Sequence, residues 1–205
     1  MKVLLVNGSS HPDGCTNRAL QEIAKSLKEE GIDSEVYFIG NKPLTDCIAC
    51  HKCTELGKCV FDDCVNEFAE KAKEADGFVF GSPVYYAHPS GRLISFMDRL
   101  FYSSGENLAF KPAAAIFSAR RNGQVCSMDV INKYFSINQM PIVSATYWNH
   151  VFGAKKEDVE EDVEGLNTMY NLGKNMAWML KLIELGKKNG LPHPENVHLF
   201  TNFVR

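Results

Sequence analysis

The sequence predicts a doubly wound α/β domain: one parallel sheet with helices packed on both faces. Three observations lead there. Short apolar runs without alternation, such as Val3-Leu4-Leu5-Val6, read as strands buried on both sides. Segments with apolar residues at helical spacing, such as Ala19, Leu20, Ile23, Ala24 and Leu27, lie between them. Strand and helix alternate five times, and no linker, repeat or low-complexity stretch interrupts them.

Each element has its own signal. Lys2 to Asn7 is the first strand, and Gly8 to Asn17 is a polar loop. The helix that follows ends at Gly31, and Asp33 to Ile39 is the second strand. The stretch from Asn41 to Asp63 is irregular and rich in Cys and Gly. Val65, Phe68, Ala69 and Ala72 then mark a helix ending near Ala75, with Asp62-Asp63 as its N-cap. Gly77 to Phe80 is the third strand, and it leads into a loop, Gly81-Ser82-Pro83-Val84-Tyr85-Tyr86-Ala87. Leu93, Ile94, Met97, Leu100 and Phe101 form the next helix. Ala113 to Phe117 is the fourth strand, Ser118 to Gln124 a polar loop, and a helix runs to about Asn138. Pro141 to Ala145 is expected as a short fifth strand. The segment 157–188 reads as helix, acidic at its start and lysine-rich at its end, as the helix dipole prefers.

Five parallel strands fit the flavodoxin-like order 2-1-3-4-5 better than a six-stranded dinucleotide domain. The first loop agrees, because Gly8-Ser9-Ser10-His11-Pro12-Asp13-Gly14 is not G-x-G-x-x-G. The expectation is a single flavodoxin-like domain over residues 1–205. It carries a Cys-rich loop at about 41–63 and a C-terminal helix at about 157–188.

Composition narrows the class. Of 205 residues, 45% are hydrophobic and 23% charged, ordinary for a soluble globular protein. A net charge of -3 argues against a nucleic-acid surface. The apolar run at the start is too short for a signal segment or a membrane span. The expected location is the cytoplasm, where seven cysteines do not form structural disulfides.

In this topology the loops after strands one, three and four share the carboxyl edge of the sheet, where ligands bind. The first loop offers Ser9, Ser10, Thr16, Asn17 and the N–H groups of a helix start, a cradle for a phosphate. The competing reading is simple N-capping by Thr16 or Ser10. The second offers Pro83, Val84, Tyr85 and Tyr86, a stiffened backbone with aromatic faces for a planar ring, or else tyrosines that merely pack. The third, Ser118-Ala119-Arg120-Arg121-Asn122-Gly123, adds two cations that suit an anionic ring or a phosphate, or lie solvated at the surface. Together a phosphate cradle, a flat-ring site and cations describe flavin mononucleotide (FMN).

These stretches, "GSSHPDGCTN", "GSPVYYAHPSGRLISFMDRL" and "SARRNG", resemble the cofactor loops of the NAD(P)H-dependent FMN reductase family. The resemblance implies an FMN-dependent oxidoreductase that takes electrons from NAD(P)H and passes them to a quinone, a flavin or another small acceptor. It implies a phosphate loop at Ser9, Ser10, Thr16 and Asn17, with His11 near the phosphate. The ring loop would be Pro83, Val84, Tyr85 and Tyr86, and the outer loop Ser118, Arg120, Arg121 and Gly123. It also implies a homodimer or homotetramer. The alternative is a flavodoxin-type electron carrier that serves protein partners without reducing a small substrate.

Four cysteines stand within thirteen residues: Cys47-x2-Cys50-x2-Cys53-x5-Cys59. The first three follow ferredoxin-type spacing, while the last step is longer than the ferredoxin run and has Val60 in place of its proline. A [4Fe–4S] cluster, cluster-free thiols and zinc are the three readings of this motif, with Cys64 as a nearby fifth thiol. The motif is similar to that of the iron–sulfur flavoproteins, a branch of the same family, which implies a [4Fe–4S] cluster beside FMN.

Overall fold

The computed structural model describes residues 1–199, 201 and 203. The elements are β1 (Lys2–Asn7), α1 (Cys15–Glu29), β2 (Asp33–Phe38), α2 (Cys53–Leu56), α3 (Cys64–Glu74), β3 (Gly77–Tyr85), β4 (His88–Pro89), α4 (Gly91–Ser104), β5 (Ala113–Ala119), α5 (Gln124–Ile137), β6 (His150–Phe152), α6 (Lys156–Glu161) and α7 (Val163–Lys188). Five strands are parallel in the order β2-β1-β3-β5-β6, and the two-residue β4 pairs antiparallel with the end of β3. Counting only the parallel strands, this is the expected flavodoxin-like order.

The strand side chains show why the runs lack alternation. Leu4, Val6, Phe78, Phe80, Ala113, Ala115 and Phe117 face one core, with Phe68, Phe96 and Phe135 from α3, α4 and α5. Val3, Leu5, Val79, Ala114 and Ile116 face the other, with Leu20, Ile23 and Leu27 of α1 and Met169, Leu172 and Met176 of α7. Successive side chains point to opposite faces, so a sheet covered twice needs apolar residues at every position.

Three expectations are corrected. The expected fifth strand, Pro141 to Ala145, makes only the isolated Ala113–Ile142 bridge at the foot of β5. Ala113 N–H donates to Pro141 O at 2.9 Å and Val143 N–H to Ala113 O at 2.8 Å, and there the pairing stops. The chain leaves the sheet and returns as β6, opposite Phe117, Ser118 and Ala119. The helix expected at 157–188 is two helices, because Asp162 turns its carboxylate to backbone N–H groups instead. It accepts from Phe152 N at 2.6 Å and from Gly165 N at 2.9 Å, capping α7 and tying it to β6. The third strand continues past Phe80 to Tyr85, since Ser82 and Pro83 remain paired with Phe117 and Ser118.

Candidate functional site

A groove of about 600 Å³ opens at the carboxyl edge of β1, β3 and β5. Its floor is the start of α1. Gly14 is the N-cap and no side chain caps the helix, so neither Thr16 nor Ser10 takes the capping role. The first-turn amides of a 15-residue helix therefore remain available to an anion. Thr16 and Ser118 are almost fully buried, and their hydroxyls meet at 2.8 Å, joining the first and third loops. The loop shape comes from Asn7, which the sequence reading did not single out. Its buried amide accepts from Ser9 N at 3.1 Å, and Ser9 Oγ accepts from His11 N at 3.0 Å. The unbroken apolar run of a strand buried on both faces hid Asn7, although an amide at the end of such a strand needs a partner.

The second loop is a tight hairpin. Val84 pairs with Pro89 and Tyr85 with His88, leaving Tyr86 and Ala87 at the tip with φ of 53° and 58°. Two successive left-handed residues make the turn that normally calls for Asn-Gly. Tyr86 is fully exposed and Tyr85 half-exposed. The third loop locks this tip. Gly123 has φ of 99°, and a Cβ there would come within 2.5 Å of Ala87 Cα.

The structure separates the expected site residues into two groups. Ser9, His11, Thr16, Pro83, Val84, Tyr85, Ser118 and Arg120 line the groove. Ser10, Asn17, Tyr86, Arg121 and Gly123 do not line it: Ser10, Tyr86 and Arg121 are exposed, and Asn17 is buried. A fourth wall, Gly153 to Glu157, was not anticipated. It brings Lys155 and Lys156, and Lys156 bridges the groove mouth to Asp13 at 2.6 Å. That ammonium, chiefly by its hydrogen bond, holds the Asp13 carboxyl below the usual range. A signal was present in the sequence, since two lysines at a helix start oppose the dipole and need another reason to be there.

The cysteines form a second cluster. Cys47, Cys50, Cys53 and Cys59 line one small cavity with Val60, Phe61, Arg99 and Tyr102. The residues on either side of Cys50, Ala49 and His51, are left-handed, with φ of 51° and 56°. Such strained backbone collects where side chains must be aimed. Among the described residues no three Cys, His, Asp or Glu side chains converge on a point that would hold a single metal ion. A tetrahedral zinc site needs that convergence, with Zn–S near ~2.3 Å. A four-iron cluster binds each thiolate to a different iron, so its ligands surround a volume instead. The space between them is about 30 Å³, so seating a cluster would spread the loop. In number, and in lining one cavity, the four thiols suit a four-iron cluster. Cys64 does not line the cavity, and burial, then Asp63, push its thiol up to about 11.

Comparison with known proteins gives the same picture. The NADPH-dependent FMN reductase family matches residues 1–154. An iron–sulfur flavoprotein of Methanocaldococcus jannaschii is 36% identical over 195 residues, covering 90% of this chain and 100% of its own. One from Methanosarcina thermophila is 28% identical, covering 90% of this chain and 97% of its own. Among solved structures, an archaeal flavodoxin superposes with TM-score 0.61 at 18% identity, covering 88% of this chain and 99% of its own. RosB superposes with TM-score 0.70 at 11% identity, covering 99% of this chain and 92% of its own. With the family match spanning most of the chain and a relative aligned along its whole length, this protein belongs to the NADPH-dependent FMN reductase family, in its iron–sulfur flavoprotein branch.

Proposed function

We propose that the groove binds FMN and that the chain is an FMN-dependent NAD(P)H oxidoreductase. Electrons would pass to a quinone, flavin or other small acceptor, with a [4Fe–4S] cluster on Cys47, Cys50, Cys53 and Cys59. The observation that carries the reading is the uncapped start of α1 beside the buried Thr16–Ser118 hydroxyl pair, opposite the Pro83–Tyr85 backbone. One terminal phosphate suits that cradle, and a planar ring suits the wall across from it.

FMN supplies hydride acceptance and one- or two-electron release when bound. The tasks of the protein are to hold and to tune. Thr16 and Ser118 present hydroxyls, and the α1 amides present N–H donors to the phosphate. Arg120 and Lys155 place positive charge along the groove, which favours an anionic reduced ring. His11 lines the groove beside the start of α1, where it would stand near the phosphate. The names of the M. jannaschii and M. thermophila relatives support the cluster, as do four thiols around one cavity. The groove is open, and Tyr147 and Trp148 stand half-exposed after the Ile142 bridge, which suits closure by a second subunit in a dimer or tetramer. No helix among the described residues is long and apolar enough to cross a membrane.

The test is acid release of the cofactor with chromatography, then anaerobic NADH or NADPH turnover with a quinone. Released FMN and pyridine-nucleotide-dependent quinone reduction support the reading. Released FAD would exclude it. Bound FMN without turnover would favour a carrier acting between protein partners.

A further inference from the structure

Among the described residues Arg99 is the largest fully buried side chain, at 1% exposure, and it sits in the interior of α4. A buried guanidinium is costly unless its donors are spent. Here all five are. Nε donates to Cys59 Sγ at 3.2 Å. Nη1 donates to Thr45 O at 3.3 Å and to Asp63 Oδ2 at 2.7 Å. Nη2 donates to Phe61 O at 3.1 Å and to Asp63 Oδ1 at 2.8 Å. The guanidinium also lies over the Phe61 ring, 5.1 Å from its centroid.

Every one of these partners belongs to the cysteine loop or its exit. Thr45 precedes Cys47, while Cys59, Phe61 and Asp63 follow the last cysteine step. Arg99 thus fastens both ends of the loop to one point on α4. Cys59 is held a second time, through its backbone: its N–H donates to Asn66 Oδ1 at 3.0 Å and its carbonyl accepts from Asn66 Nδ2 at 3.0 Å. The other three cysteines have no such clamp. Cys50 is exposed between left-handed neighbours, and the Cys53 thiol reaches only the Tyr102 carbonyl, at 3.7 Å.

We propose that Arg99 is the positioning residue of the cysteine site: it fixes Cys59 as the preformed ligand and aims an N–H at its sulfur, raising the reduction potential of the bound cluster. The inference rests on the cluster reading above. The charge of Arg99 is largely cancelled by the bidentate Asp63 carboxylate, so the tuning comes from the directed N–H···S bond, not from a free cation. Hydrogen bonds to cluster sulfurs and local net charge are the levers that set such potentials. Arg99 and Asp63 therefore pull in opposite directions. Removing the N–H···S bond disfavours the more negative reduced cluster, whereas removing the Asp63 charge leaves Arg99 uncompensated and favours it.

Wild type, Arg99→Lys and Asp63→Asn are reconstituted anaerobically with iron and sulfide. Iron and sulfide content, FMN content and far-ultraviolet circular dichroism are recorded. The one-electron midpoint of the cluster is then measured by dithionite titration followed by electron paramagnetic resonance. The expected result is a more negative midpoint and slower iron uptake in Arg99→Lys, and a less negative midpoint in Asp63→Asn, at unchanged FMN content. A purely structural arginine would not produce opposite shifts. Unchanged midpoints, or shifts of the same sign, overturn the proposal. If Arg99→Lys fails to fold, Asp63→Asn decides alone, since its amide oxygen can still cap α3; a midpoint unchanged or more negative refutes the idea. Failure of wild type to take up iron and sulfide would defeat the cluster reading itself, a result distinct from a loaded cluster whose potential ignores Arg99.

Discussion

The groove and the cysteine loop lie in one domain but are held in different ways. The groove sits at the ends of strands whose central side chains are fully buried, and its key hydroxyls at Thr16 and Ser118 are fixed by burial and by each other. The cysteine loop has only the four-residue α2 as regular structure and is held chiefly by side chains from neighbouring helices, Arg99 and Asn66 around Cys59 and Arg92 at Lys42 O. A rigid scaffold suits a ligand recognised by fixed dipoles, while a tethered loop suits a group that must be wrapped and that spreads its ligands on entry.

The sharpest way to separate the two regions is Cys53→Ala. Four thiolates are needed for four irons, so cluster incorporation should be lost completely while FMN content stays at the wild-type level. Iron, sulfide and flavin analysis of one reconstituted sample checks both halves. Parallel loss of flavin would show that the regions are not independent. At the groove, Thr16→Val removes the hydroxyl paired with Ser118, which the FMN reading turns to the phosphate, and Asn17→Ala removes a buried amide outside the lining. A hydrogen bond to a charged group contributes about 1.5–3 kcal/mol, so Thr16→Val should weaken FMN binding about 10- to 150-fold. Asn17, which does not line the groove, should cost less. Flavin fluorescence titration measures both.

Gly123→Ala tests whether the third loop really locks the hairpin. A Cβ at a left-handed position 2.5 Å from Ala87 Cα should cost about 1–3 kcal/mol in a urea melt and shift the Tyr85–His88 turn. The smallest effects belong to the arginines. Arg120→Gln should lower the flavin midpoint potential, whereas Arg121→Gln, exposed and off the groove, should leave it nearly unchanged. Equal shifts in a spectroelectrochemical titration would mean that Arg121 turns inward when the groove is filled.

Much of this was readable in the chain because the relevant signals are local. Unbroken apolar runs located β1, β3 and β5, and the polar loops after them marked the edge where the groove lies. The failures have a common cause. Pro141 to Ala145 is expected as a strand, and Val143 is indeed buried, but burial is not pairing, and the proline has no N–H to give. The short β6, with His150 at its start, has no strand signature because its pairing is dictated by β5 across the sheet. The break at Asp162 depends on the backbone N–H of Phe152, ten residues earlier in β6, which donates to its carboxylate. Arg99 follows the helical spacing of Phe96, Met97 and Leu100, yet its reason for being buried lies at Thr45, Cys59 and Asp63, far away in sequence. Local periodicity locates elements; it does not reveal which residue of one element answers the unmet needs of another.

The hairpin tip has a consequence for anyone redesigning this protein. Asn-Gly in place of Tyr86-Ala87 would relieve two left-handed residues at once, and by turn chemistry it is the first stabilising change an engineer would choose. It would also delete the aromatic ring of Tyr86, which stands wholly in water at the hairpin tip. A screen for thermal tolerance would reward that exchange, and a screen for turnover would show what the ring is kept for.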